Sequence, residues 1–154
     1  MERLLKASEG KHPEAIGALL WHLDRARERI EALSPANRPD QIVHGDFAPW
    51  NLRFHEGKLS GILDFELAHR DHRVGEFALV WRGKYDALVH GYNEVLPLDP
   101  EEWALLTPLW WAFLIESAYQ LLQAGTWDDG WIVSKLLVRS PLMGPDAEPY
   151  RCTT

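Results

Sequence analysis

The chain has 154 residues, of which 46% are hydrophobic and 25% charged, and its formal net charge is −7. These values are ordinary for a soluble globular protein, and the length predicts a single domain with a real core. The negative charge argues against nucleic acid as a partner, because binding it requires basic patches. The charge is compatible with a cationic substrate, although surface acidity for solubility explains it equally well.

Disulfides and membrane spans are also disfavoured. Cys152 is the only cysteine, so no internal disulfide and no thiol-based metal cluster can form. No stretch approaches the roughly 18 consecutive apolar residues that a membrane-spanning helix needs. The first thirty residues also lack the apolar region of a signal peptide. A cytoplasmic protein without a membrane partner is therefore expected.

Helical periodicity dominates the predicted elements. Apolar residues recur at three- and four-residue steps over residues 12–33, which predicts an amphipathic helix. Residues 34–40 carry two prolines and are expected to end it. Further helices are predicted over residues 75–92 in one or two pieces, from Asp99 to about Gln123, and from Asp129 to about Arg139. Pro108 is expected to kink or divide the longest of these, and the tail from Gly144 onward to be irregular.

Short strands are predicted between the first and second helical regions. Residues 41–44 form a strand pattern that enters a polar loop, and residues 52–55 and 59–65 flank a turn and predict a hairpin. Such a hairpin would return Asp64 to the same end of the sheet as Asn51. The predicted fold class is therefore α+β and mostly α-helical, with a small β-hairpin carrying two functional loops.

Those loops contain the residues that point to chemistry. Asp46 and Asn51 have the D-x-x-x-x-N spacing of a kinase catalytic loop, and Asp64 stands at the end of the next apolar run. Phosphoryl transfer needs a group that orients the nucleophile and oxygen ligands for the magnesium that bridges the phosphates. Each residue alone is more often a loop-capping residue. The ordered set predicts phosphoryl transfer.

The segments resemble the aminoglycoside phosphotransferase and choline kinase superfamily, whose fold is related to that of protein kinases. Its catalytic loop, H-G-D-x-x-x-x-N, is matched in full by residues 44–51, and its metal segment, hydrophobic-D-[FW]-[EDG], by residues 63–66. A third stretch, usually D-x-x-x-D-L-A, occupies residues 71–78, with Glu76 and Phe77 in place of the usual Asp and Leu. Together the three segments are specific.

The resemblance implies roles for individual residues. Asp46 would be the catalytic base that receives or orients the substrate hydroxyl. Asn51 and Asp64 would be magnesium ligands, and both are hard oxygen donors of the kind that magnesium prefers. ATP would be the co-substrate. The acceptor is not indicated, because in this superfamily it is set by the C-terminal helices, here residues 100–139, which vary widely.

Three further residues receive supporting roles from the same resemblance. His44 would brace the catalytic loop through hydrogen bonds. Leu63 would form part of the floor under the adenine. Glu66 would bind a second metal ion or a metal-bound water.

A full member of this superfamily also has an N-terminal lobe that holds ATP through a phosphate-covering loop and a strand lysine. The roughly forty residues before the catalytic loop contain no glycine-rich run, so this lobe is expected to be absent and residues 1–154 to form only a C-terminal catalytic lobe. The chain is then either the catalytic part of a larger or split phosphotransferase, or a non-catalytic remnant acting as a binding module. The face left around Leu63 is expected to self-associate or to pair with a second polypeptide.

Overall fold

A computed structural model of the chain describes residues 1–33 and 41–147. The predicted break at residues 34–40 and the end of the predicted irregular tail, with Cys152, lie outside this range. The described α-helices are α1 (Glu2–Ser8), α2 (Pro13–Leu33), α3 (Phe77–Val80), α4 (Asp86–Val95), α5 (Pro100–Ala124) and α6 (Asp129–Leu136). The described strands are β1 (Gln41–Val43), β2 (Leu52–His55), β3 (Lys58–Ile62) and β4 (His69–Asp71). Short 3-10 helices cover Pro49–Asn51, Phe65–Leu67, Arg73–Glu76 and Pro141–Ala147.

The longest helix, α5, begins and ends where local signals place it. The Asp99 side chain accepts hydrogen bonds from the backbone amides of Glu101 and Glu102, at 2.9 and 2.8 Å, and the Glu102 carboxylate in turn accepts one from the Asp99 amide. Gly125 ends the helix in the left-handed conformation, at φ 69°. The helix continues through Pro108, so this proline does not divide it, and the alternative prediction, a kink at Pro108, stays a prediction. Pro108 is buried, and packing on both sides of it outweighs the lost backbone hydrogen bond.

The core lies where α2 and α5 pack against each other and against α6. Its largest fully buried side chains include Trp81, Trp111, Ile16 and Leu106. Trp110 and Trp111 are both buried. None of the helices in the described ranges is long and apolar enough to span a bilayer.

Two small antiparallel sheets lie beside this helical core. β2 pairs with β3, which confirms the predicted hairpin. β3 ends at Ile62 and not at Phe65, because Asp64 turns into a left-handed conformation and residues 65–67 form a 3-10 turn. β1 pairs with β4, which was not predicted, and neither was α1. The prediction of an α+β, mostly α-helical fold is confirmed.

Candidate active site

His44 joins the two predicted functional loops. It follows β1 and is buried, with its ring Nε2 2.8 Å from the carbonyl oxygen of Leu63 and its Nδ1 3.3 Å from the backbone nitrogen of Asp46. Because a carbonyl only accepts and an amide only donates, these partners require a neutral ring with its proton on Nε2. The imidazole therefore links the loop of Asp46 to the segment that carries Asp64.

Asp46 and Asn51 contact each other directly. The side-chain nitrogen of Asn51 donates to the backbone oxygen and to Oδ2 of Asp46, each at 2.9 Å. Since both partners are acceptors, the orientation of the amide is determined, and its oxygen has no hydrogen bond within the described residues. Oδ2 of Asp46 also accepts a hydrogen bond from the Trp50 indole at 3.4 Å, whereas Oδ1 has no hydrogen-bond partner among the described residues. A carboxylate held by one oxygen and open at the other can orient a hydroxyl and take its proton.

The metal segment is tied to the same cluster through the backbone of Leu63. The Leu63 amide donates to the carbonyl of Asn51 at 2.8 Å, while the Leu63 carbonyl accepts from His44. Because Asn51 immediately precedes β2 and Leu63 immediately follows β3, the hairpin brings them together. Asp64 comes next, exposed and in a left-handed conformation that is strained for a residue with a Cβ, at φ 66° and ψ 64°. Its carboxylate makes no capping hydrogen bond.

The side-chain oxygen atoms of Asn51 and Asp64 are of the kind that binds a magnesium ion. The amide oxygen of Asn51 and the carboxylate of Asp64 are hard oxygen atoms that the fold leaves without a hydrogen bond in the described ranges. No group of three or more histidine, cysteine or acidic side chains able to hold a metal occurs in the described part of the chain. A magnesium ion would therefore need phosphate or water oxygens to complete its shell, as is usual for this ion. Glu66 is exposed next to Asp64, and its predicted metal role stays a prediction.

Glu76 supports the loop in a way that the sequence did not reveal. Its carboxylate accepts the backbone amides of His44, through Oε2, and of Gly45, through Oε1 at 3.2 Å. The only signal in the sequence was that Glu76 stands where the family's third motif, D-x-x-x-D-L-A, usually has Asp. Gly45 itself has φ 79°, and a Cβ there would lie 2.4 Å from the Leu67 carbonyl oxygen, so no other residue fits without a shift.

Two cavities flank the catalytic loop. One, of about 530 Å³, lies between the loop residues Ala48 and Trp50 and the segment that carries Arg82 and Lys84. The other, of about 490 Å³, is lined mostly by apolar side chains together with His44 and Glu76, and Glu76 is already hydrogen-bonded to the loop backbone. Small-molecule sites are typically concave, with a few convergent polar groups, and the first cavity fits that description because charged groups line it.

The face around the hairpin is apolar and exposed. Leu63, predicted to lie under the adenine, is 42% exposed, so its side chain is free to contact a ligand or another polypeptide. Other large apolar side chains exposed on these loops and strands are Ile42, Trp50, Phe54, Leu59, Phe65 and Leu67. A cluster of this kind is unusual for a surface that meets only water. Self-association or pairing with a second polypeptide through this face stays a prediction.

Comparisons with known proteins point in one direction. A family model described as the phosphotransferase enzyme family matches residues 2–106. A homoserine kinase of Chelativorans sp. (strain BNC1) is 30% identical over 91% of this chain and 47% of its own length. A homoserine kinase of Xanthobacter autotrophicus is 31% identical over 69% of this chain and 37% of its own length. The chain thus spans less than half the length of these relatives, and no solved structure gives a significant match.

Proposed function

This chain belongs to the phosphotransferase enzyme family, and on that premise we propose that it transfers the γ-phosphoryl group of ATP to the hydroxyl of a small molecule. The observation that carries the proposal is the hydrogen-bonded cluster of Asp46, Asn51, His44 and the Leu63 backbone. It holds a carboxylate oxygen and the Asn51 amide oxygen that have no partner among the described residues, and its Leu63 backbone leads directly to Asp64, a second oxygen ligand suited to magnesium. The names of the relatives make homoserine, or another small hydroxylated amino acid, the first acceptor to test.

Each residue of the cluster has a definite task in this reaction. Oδ1 of Asp46 accepts the proton of the acceptor hydroxyl as the hydroxyl oxygen attacks the γ-phosphorus of ATP. The bond from that phosphorus to the oxygen that bridges to the β-phosphate breaks, and ADP leaves. Asn51 and Trp50 hold the other carboxylate oxygen, so that the proton acceptor keeps one orientation. His44 keeps this loop at a constant distance from the metal segment.

The remaining predicted residues act on the nucleotide. Magnesium, when bound, would be held by the Asn51 amide oxygen and the Asp64 carboxylate and would neutralise charge on the phosphates. Glu66 would hold a second ion or a metal-bound water. The exposed Leu63 side chain would form part of the surface under the adenine.

We also propose that the apolar face around Leu63 is covered by a nucleotide-binding polypeptide segment, because the relatives are at least twice as long as their match to this chain. Without that segment, ATP would meet only one wall of its site. Calorimetry of the 154-residue chain with magnesium and ATP should show affinity no better than about millimolar, roughly 4 kcal/mol weaker than a micromolar complex. Micromolar binding by a monomer would contradict the proposed second segment.

The activity is tested on the protein purified from its native source. Its mass shows whether further polypeptide accompanies these residues, and incubation with ATP and magnesium shows whether phosphate reaches homoserine or other small alcohols. Transfer that requires both magnesium and the acceptor supports the proposal. A protein that folds and binds partners but transfers phosphate to none of the acceptors favours the alternative, a non-catalytic interaction module.

A further inference from the structure

The first cavity is separated from the proposed proton acceptor, Asp46, by one side chain, that of Trp50. Trp50 lines this cavity, and its indole nitrogen lies 3.4 Å from Oδ2 of Asp46. On the cavity side, the guanidinium carbon of Arg82 lies 5.1 Å from the centre of the Trp50 ring. One aromatic side chain therefore lies between Asp46 and Arg82. Asp46 itself does not line this cavity, so a molecule held at Arg82 has to extend past the Trp50 ring to reach it.

The two cations of this cavity, Arg82 and Lys84, have no acidic partner in the part of the chain that the structure describes. Arg82 uses its Nε to donate to the Leu79 carbonyl at 2.9 Å, and the Lys84 ammonium lies 5.0 Å from the Tyr85 ring. Neither side chain forms an ion pair within the described ranges. This is unexpected in a chain with a net charge of −7. Unpaired cations at a cavity wall produce a positive potential that attracts an anion.

The one carboxylate in the cavity wall is already engaged. Asp86 accepts hydrogen bonds from the Trp81 indole at 2.7 Å and from the Ser140 hydroxyl at 2.7 and 2.8 Å. It therefore serves the core and not the cations. Arg82 and Lys84 also line another, smaller cavity of about 230 Å³, and among the described residues its wall adds Lys135 and no acidic residue.

The backbone holds the two cations in place at some cost. Arg82 has φ 53°, a left-handed conformation that is uncommon for a residue with a Cβ, and Gly83 follows at φ 64°. A Cβ on Gly83 would lie 2.9 Å from side-chain atoms of Val138 and Met143, so the turn packs tightly on the C-terminal segment. Strain of this kind persists where the surroundings enforce it, and it is often found at ligand sites.

We propose that Arg82 and Lys84 bind a carboxylate of the acceptor, and that the substrates of this site are hydroxylated carboxylic acids. The inference rests on the proposed function, since it assigns the cavity to the acceptor. The planar guanidinium of Arg82 can hold a carboxylate with two parallel hydrogen bonds, while the ammonium of Lys84 adds a point charge. The local charge of the cavity thus opposes the cationic acceptor with which the net charge of the chain is compatible.

Two small alcohols of similar length distinguish a site that binds a carboxylate from a site that binds a cation. 4-Hydroxybutyrate carries a hydroxyl and a carboxylate, whereas 4-amino-1-butanol carries the same hydroxyl and an ammonium group. NMR titration of the 154-residue chain with each should show tighter binding of 4-hydroxybutyrate, by about tenfold for one charge-assisted contact of this type. The difference should shrink at high salt, because the cations are partly solvated.

Variants then assign the effect to residues. Arg82→Met should weaken 4-hydroxybutyrate about tenfold and leave 4-amino-1-butanol unchanged, and Lys84→Met should do the same to a smaller extent. Lys11→Met, at an exposed lysine before α2, is the matched control and should change neither affinity. Equal binding of the probes, binding of neither, or preference for the amine overturns the inference.

Kinetics on the natively purified protein keep this inference separate from the proposed function. If Asp46→Asn abolishes transfer while Arg82→Met leaves the KM of the acceptor unchanged, the function stands and the carboxylate site falls. If Arg82→Met raises the KM of ATP in place of that of the acceptor, the cations serve the nucleotide phosphates and the inference is wrong. Charge-selective binding without any phosphoryl transfer would leave the carboxylate site standing and remove the proposed function.

Discussion

The helical core and the loop face of this protein are held together by different forces. In the core, side chains such as Trp81 and Trp111 are completely buried, and their stabilisation comes from apolar surface removed from water. On the loop face, Ile42 and Phe54 are 79% and 63% exposed, and order comes from hydrogen bonds around His44. A substitution in the helical core should therefore lower stability, whereas a substitution in the hydrogen-bonded loops should lower activity.

The largest effect is expected at the proposed proton acceptor. Asp46→Asn keeps a carbonyl oxygen for Asn51 and Trp50 but removes the base, so kcat should fall by about 10²- to 10⁴-fold. The KM of ATP and the melting temperature should change little. Steady-state kinetics give kcat and KM, and thermal unfolding gives the melting temperature. The matched control is Asp24→Asn, at an exposed aspartate. A variant that keeps most of its turnover would show that Asp46 is structural.

In the core, the expected effect is a loss of stability. Trp111→Ala removes a fully buried ring from the centre of α5, and the free energy of unfolding should fall by about 3–5 kcal/mol. Phe54→Ala, on the exposed hairpin, should change it by less than about 0.5 kcal/mol. Urea unfolding of both variants gives the comparison. Similar losses in both would mean that the hairpin face is covered in solution.

A buried histidine gives the core a dependence on pH. Burial lowers the pKa of His22 from 6.5 to about 4, so the ring is neutral in the folded protein at neutral pH. Its Nδ1 lies 2.7 Å from the Ala18 carbonyl oxygen, as expected for a neutral ring that donates there. Below pH 6.5 the unfolded chain binds a proton that the folded chain does not, so stability should fall by about 2 kcal/mol from pH 7 to pH 5.

Urea unfolding at the two pH values tests this, and His22→Gln should lose less stability over the interval. The Arg73–Glu102 pair does not interfere, because the hydrogen bond from Arg73 lowers the pKa of Glu102 below its ordinary 4.5. The stabilisation from this ion pair is complete above pH 4.5, the ordinary pKa of the carboxyl group. It is lost only as the pH falls through the lowered pKa of Glu102. If His22→Gln does not fold, NMR titration of the His22 ring in the unchanged chain decides. A pKa near 6.5 contradicts the prediction.

The smallest effect is expected where the two regions meet. Glu76→Gln keeps one acceptor oxygen for the amides of His44 and Gly45 but removes the charge, which should lower stability by about 1 kcal/mol. Because the loop start is loosened, kcat should also fall, and the two amides should exchange their hydrogens faster. Exposed Glu94→Gln is the control. Unchanged exchange at His44 and Gly45 would mean that the loop is held by other contacts.

Local chemistry in the sequence determined much of this protein. The start and end of α5 were predicted, because Asp99 and Gly125 act on backbone groups within a few residues of themselves. The β2–β3 hairpin was predicted for the same reason, since a tight turn and its flanking strands are adjacent in the chain. The spacing placed Asp46 and Asn51 in one predicted catalytic loop, and their side chains are in contact, while the roles assigned to them stay predictions.

Only the tertiary structure decided the remaining features. The three-residue strand β4 has no pattern of its own and exists because β1 pairs with it, Gln41 opposite Asp71. Pro108 stays inside α5 because the packing of a buried helix exceeds the local loss of a hydrogen bond. The roles of Glu76 and Arg82 depend on partners distant in sequence, His44 and Trp50. Contacts of that kind leave no periodicity or spacing in the chain, so folding has to bring them together before they can be recognised.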